Sequence, residues 1–229
     1  MPSASGPSAL FPFAGGAEMA RQVRAEATRE SVLRGAAEVF VRLGYANASL
    51  NEIIDESGVT KGALYFHFGS KEELARGVID AGFARSAEAG LAKIDERTPA
   101  LETMIELSVL SVDLSVSDPV VRAMFRLVLE IGDYRGSGDN LFEMWLGTLQ
   151  QLARRAQEEG DLSPDFDPDA AGLMVLQMVV GARTVAAGLG RRDRSIEHIE
   201  LMWTNLLPSL VPATKVEYFR QFAARRLRV

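Results

Sequence analysis

The sequence predicts an all-α protein in which a three-helix N-terminal unit is joined by one long helix to a larger helical half. Three observations carry this prediction. No stretch of the 229 residues shows the strict apolar and polar alternation of a strand or the turn chemistry of a hairpin. Apolar residues recur at helical spacing in each long segment. The segments are punctuated by Pro and Gly and preceded by capping residues. No solenoid repeat is visible, and the helix lengths are irregular.

Residues 1–18, MPSASGPSALFPFAGGAE, are rich in Ser, Gly and Pro and are expected to form a disordered tail. The tail has no basic residue before its apolar patch, so it lacks the start of a secretory signal. Met19 is a possible alternative start, because MARQVRAEATRE opens the helical region directly. From Glu26 to Leu43, the residues Val32, Leu33, Ala36, Val39, Phe40 and Leu43 make one apolar stripe, which Gly44 ends.

Ser49 to Lys71 is the most informative stretch. Ser49 with Glu52, and Ser70 with Glu73, have capping-box spacing. Between them Gly58 can take the positive φ that closes one helix, and Thr60 can cap the next. The result is a short helix, a tight turn and a second short helix over residues 61–66. Phe40, Leu50, Ile53, Ile54, Val59 and Leu64 are its expected core.

A long helix begins at Ser70 and continues through Leu74, Val78, Ile79 and Phe83 toward Ile94. It belongs to both halves, so tilting it would move the short helix before it. Pro99 and Pro119 open helices over 99–116 and 119–131. The segment 132–140, GDYRGSGDN, reads as a polar loop. Helix 140–159 follows, stopped by Gly160. Asp167-Pro168 caps a helix over 168–189 that is apolar nearly all round and therefore buried on several sides. Helices over 196–210 and 214–228 complete the chain.

Hydrophobic residues make up 47% and charged residues 24%, ordinary values for a globular protein. With no cysteine there is neither a disulfide framework nor a thiolate metal site, which fits a reducing cytoplasm. No apolar run is long enough to suggest a membrane span. The net charge of −6 argues against general attraction to nucleic acid. Residues 1–76 nevertheless balance eight basic against nine acidic side chains, so most of the excess lies in the second half.

Helix 61–66 has an unusual composition. Gly62 and Ala63 bury little area and allow close approach, while Lys61, Tyr65 and His67 carry donors for phosphates or base edges. A small, basic N-terminal turn suits the major groove. A surface hairpin without a ligand is the alternative. Catalysis has no support: His67 and His198 lack metal-ligand spacing, and there is no phosphate loop, dinucleotide fingerprint or nucleophile elbow. Asp165, Asp167 and Asp169 are interrupted by prolines that mark loop and cap. No cofactor is implied.

TRESVLRGAAEVFVRLGYANASLNEIIDESGVTKGALYFHFGSKEEL, residues 28–74, resembles the DNA-binding domain of TetR-family transcriptional regulators over about a fifth of the chain. The resemblance implies a helix-turn-helix domain over 19–75 and a ligand-binding and dimerisation domain over 76–229. It implies a repressor that binds double-stranded operator DNA as a homodimer, with helices 168–189 and 196–210 packing against their twins. The expected DNA-facing residues are Thr28, Ser49, Thr60, Lys61, Gly62, Ala63, Tyr65, His67 and Lys71; for Thr28 and Arg29, solvated caps are the alternative. A twofold pair of reading helices would address half-sites about 34 Å apart. A helical adaptor that binds only other proteins is the competing reading.

MARQVRAEATRE, GVTKGALYFHF and DPVVRAMFRLVLE are similar to the γ-butyrolactone receptor branch of that family, whose cavity holds a tryptophan where Trp145 stands. This implies a small, mostly apolar effector: a lactone, furan or butenolide, or an antibiotic in the related pseudo-receptors. The expected walls are Phe83, Met124, Phe125, Val128, Trp145 and Val180, with Thr148, Gln177, Arg183 and Thr184 as polar partners. VGAR at residues 180–183 departs from the TGVQ-like stretch of these receptors, which leaves a pseudo-receptor with a different ligand as an alternative.

Overall fold

Strong helix formers fill the segments between the glycines and prolines. The computed structural model describes residues 15–95, 97–131 and 141–227, which form helices and connecting turns with no strand among them. The first helix, α1 (Gly15–Asn47), is longer than the apolar stripe. Its first turns stand in solvent, with Met19 66% and Val23 62% exposed, so propensity rather than packing extends it. Residues 15–18 of the expected tail are therefore helical, and residues 1–14 lie outside the described residues. Gly44, at φ 79° and ψ 170°, breaks the regular helix where expected.

The helix pair follows as α2 (Leu50–Ser57) and α3 (Lys61–His67). Ser49 and Glu52 form the complete capping box, and Gly58 takes the left-handed conformation at φ 67°. Thr60 Oγ1 accepts the Ala63 N–H at 3.2 Å and starts α3. The second box forms by half. Ser70 Oγ accepts from Glu73 N–H at 3.1 Å, whereas Glu73 Oε2 accepts from Gly69 N–H at 2.8 Å instead of closing back on Ser70.

The long helix α4 (Lys71–Leu91) and α5 (Ala100–Ser117), α6 (Pro119–Ile131), α7 (Leu141–Glu158), α8 (Pro168–Gly188), α9 (Ser195–Leu210) and α10 (Val216–Leu227) lie close to their expected bounds. The loop expected at 132–140 lies outside the described residues.

Among the described residues, two large cores and a small third cluster of Val121, Met124 and Val128 organise these helices. The larger joins Leu101 and Met104 of α5 to Trp203 and Leu207 of α9 and Phe219 of α10. The other gathers Val32, Phe40, Ile53, Leu64, Leu74 and Val78 of the first four helices, but also Val120, Ala123 and Leu127 of α6. Packing thus runs across the boundary expected between residues 75 and 76. A helix of the second half completes the core of the first.

That attachment is tight and specific. A Cβ on Gly82 of α4 would come within 2.6 Å of Met124 Cβ, so the glycine lets α4 and α6 cross closely. Arg85 of α4 joins both sides, donating to Asp118 before α6 at 2.8 Å and to Glu30 of α1 at 2.5 Å. Arg126 of α6 donates to the Val41 carbonyl at 2.6 Å, and Glu130 accepts the Tyr45 N–H at 2.6 Å. α6 thereby grips the end of α1.

Candidate nucleic-acid interface and effector cavity

α3 presents the residues expected to meet DNA. Lys61 and Gly62 are exposed, Tyr65 is 45% exposed, and His67 is half-buried. Nothing lies within 4 Å of a Cβ built on Gly62, so the fold itself does not require a glycine there. Leu64 alone on α3 is fully buried and anchors the helix to the core. Lys61 Nζ stands 5.9 Å from the Tyr65 ring centroid, which places a cation and an aromatic donor side by side. The fold leaves this edge open and charged, as a surface meeting phosphates requires.

Other members of the expected set are occupied by the protein itself. Lys71 Nζ donates to the carbonyls of Tyr45 and Ala48 at 2.9 Å and of Ala46 at 3.4 Å. Its ammonium also lies 4.6 Å from the Tyr45 ring centroid. Lys71, expected at a phosphate, here ties α4 to the end of α1, where the last carbonyls of a helix need donors. Ser49 Oγ and Thr60 Oγ1 serve as caps, and Thr28 Oγ1 donates to the Arg24 carbonyl at 2.9 Å, although Ser49 and Thr60 stay exposed. Phe66, 79% exposed beside them, escaped the sequence reading because an apolar residue inside a short helix looks like core.

The C-terminal half of α4 turns from this interface to a cavity of about 270 Å³ enclosed with α5, α6, α7 and α8. Phe83, Phe125, Trp145, Thr148, Val180 and Arg183 line it as expected. The Trp145 centroid lies 5.3 Å from Phe125 and 5.6 Å from Phe142, an aromatic corner that fixes the indole. Four expected wall or polar residues are elsewhere. Met124 is fully buried against Gly82, and Val128 belongs to the same packed cluster, so both serve as core between α4 and α6. Gln177 and Thr184 lie on the outer face of α8, lining a shallow groove with Leu129 and Val185. One helical residue is about 100° of rotation, enough to place Arg183 inside and Thr184 outside.

Arg183 is the electrostatic exception in this cavity. Its guanidinium carbon sits 3.2 Å from the Phe125 ring centroid, and Nη1 donates to Ser111 Oγ at 2.9 Å. Burial pushes its pKa down to about 9.

The N-terminal residues 32–78 match the model described as bacterial regulatory proteins, tetR family, and residues 98–212 match the tetracyclin repressor-like C-terminal domain. The chain belongs to the TetR family. This TetR-family chain is 31% identical over 193 residues to the A-factor receptor protein of Streptomyces griseus, covering 84% of the chain and 67% of that relative. It is 30% identical to the transcriptional repressor BepR of Brucella suis, covering 70% of the chain and 82% of the relative. Among solved structures, a γ-butyrolactone receptor described as ArpA-like superposes with a TM-score of 0.80 at 31% identity, over 90% of this chain and 98% of that one. CprB of Streptomyces coelicolor, solved in complex with its operator sequence, gives a TM-score of 0.78 at 32% identity, over 88% of this chain and 97% of that one. The TetR-family chain is a regulator rather than an enzyme, and it stands close to the γ-butyrolactone receptors.

Proposed function

We infer that the protein is a ligand-responsive transcriptional repressor that binds a pseudopalindromic operator as a homodimer and is released by a small, largely apolar effector. One observation carries the reading. α4 begins directly after the reading helix α3, and its far half, from Phe83 to Leu91, forms a wall of the cavity. Whatever fills the cavity bears on the element that sets the position of α3.

α6 supplies a second route. Phe125 faces the cavity, while Arg126 and Glu130 on the same helix hold the end of α1. A ligand that favours a shifted α4 and α6 would move the two α3 helices out of register with successive major grooves. Operator affinity then falls by the ligand's differential affinity for the two conformers.

The outer faces of α8 and α9 support the dimer. Val185 is 53%, Leu189 60% and Leu201 64% exposed, and Gly181 and Gly188 have open space where a Cβ would stand. Small residues beside exposed apolar ones suit close packing against a twofold mate. α8 is long and apolar enough by composition to cross a membrane, yet here 28% of its apolar window is buried, and the proposed mate would cover much of the rest. Action on chromosomal operators places the regulator in the cytoplasm.

The reading is tested by selecting duplexes from a random pool with the purified protein, then titrating a γ-butyrolactone into a gel shift of the selected sequence. A palindromic consensus and its release by ligand, lost in Trp145→Ala, are expected. No enriched palindrome would overturn the operator reading in favour of a protein-binding adaptor.

A further inference from the structure

Arg183 is the sole charged residue among the described residues lining the cavity. No carboxylate among the described residues lies within ion-pair distance of it, since every ion pair formed there involves other partners. Its Nε is buried without a hydrogen-bond partner, and so is Ser86 Oγ on the α4 wall. Ser111 and the face of Phe125 are the contacts its guanidinium makes. Neither carries a negative charge. A cation enclosed by apolar walls is costly unless it is paired, and native proteins pair such groups with protein or ligand anions.

We propose that this cavity takes an amphiphilic monocarboxylic acid, its carboxylate paired with the Arg183 guanidinium and its apolar body against Phe83, Phe125 and Trp145. The assignment rests on the effector reading above and narrows the effector's chemistry. A guanidinium presents a planar fork of donors that matches a carboxylate two by two, whereas a neutral lactone carbonyl accepts hydrogen bonds but leaves the charge unpaired. A phosphate ester would bring more negative charge than one arginine neutralises, into walls of Leu, Ile, Val and aromatic side chains. The single cation and the apolar lining together select one anionic group on an apolar skeleton. Because the guanidinium rests on the Phe125 ring, drawing it toward a carboxylate also shifts the load on α6.

The test uses the full-length chain, with octanoic acid as the charged probe and octanamide as its neutral isostere, by isothermal titration calorimetry and by release from the selected operator. The acid is expected to bind about ten-fold or more tightly than the amide, and Arg183→Met to remove that preference while keeping amide binding. Trp145→Ala should weaken both probes, which locates them in this cavity. Equal binding of acid and amide, or an acid preference that survives in Arg183→Met, overturns the carboxylate assignment and leaves the effector reading intact. If neither probe binds and a neutral lactone still releases the operator, the assignment is also overturned. An acid preference that depends on Arg183 without operator release supports the assignment while refuting the regulatory coupling.

Discussion

The unpaired cation of Arg183 makes a quantitative prediction about the ligand-free protein. A fall in its pKa from the ordinary arginine range to about 9 corresponds, at about 1.4 kcal/mol per pH unit, to roughly 4–5 kcal/mol of unfavourable burial as an upper bound. Against this stand the stacking on Phe125, worth up to about 2 kcal/mol when desolvated, and the bond to Ser111, worth about 1.5 kcal/mol. About 1 kcal/mol remains unfavourable. Arg183→Met, which keeps an unbranched apolar stem and removes the charge, should therefore stabilise the ligand-free protein by about 1 kcal/mol and raise its melting temperature by about 2–4 °C. The sign with pH follows from proton linkage. Below a pH of about 9 the guanidinium is charged in both the folded and unfolded states, and the difference between parent and variant is constant. Above about 9, and below the ordinary arginine range, the folded state has lost a proton that the unfolded state still holds, so the parent gains and the gap narrows. Urea melts of both proteins at neutral and alkaline pH measure it. A variant destabilised by more than about 1 kcal/mol at neutral pH would show that the charge is compensated, and the reasoning from an unpaired cation would fail.

Two further predictions separate fold from recognition at the other end of the molecule. Lys71→Met should cost about 1–2 kcal/mol in a urea melt, because three carbonyls at the end of α1 lose their donor. Its operator binding should keep the parent's salt dependence, whereas loss of a phosphate contact would lower the log-log slope by about one. Gly62→Leu should leave stability equal or higher by about 0.5–1 kcal/mol, since the site is open and leucine favours helix. Its operator affinity should nevertheless fall by about ten-fold or more in a gel shift, and unchanged affinity would mean that this face of α3 stays outside the groove.

Much of the architecture was legible because it is written in local interactions. Ser49 with Glu52, Thr60 with Ala63, Gly44 and Gly58 at positive φ, and Asp167-Pro168 each act over a few residues, so their spacing suffices to place the helix ends. The exposed face of α3 was legible for the same reason: a short helix with one buried leucine has little choice of inward side. Where propensity ran on without packing, as in the exposed start of α1, an apolar stripe underestimated the helix.

The cavity was less legible. Its residues come from five helices, and on a helix such as α8, apolar nearly all round, composition does not say which side faces inward. The packing of α8 against α7, where a Cβ on Gly172 would meet the Gln150 backbone at 2.8 Å, and against α5 and α9 sets that rotation. It sends Val180 and Arg183 inward and leaves Gln177 and Thr184 outside. Likewise the sequence marked Lys71 as a basic residue beside the reading helix, but three carbonyls from a segment more than twenty residues earlier decided its use. The sequence alone thus determined the helices, their ends and the exposed face of α3, because capping and amphipathic spacing are short-range. The tertiary structure decided which lysine is free and which arginine is enclosed, because a side chain's desolvation and partners depend on helices distant in the chain.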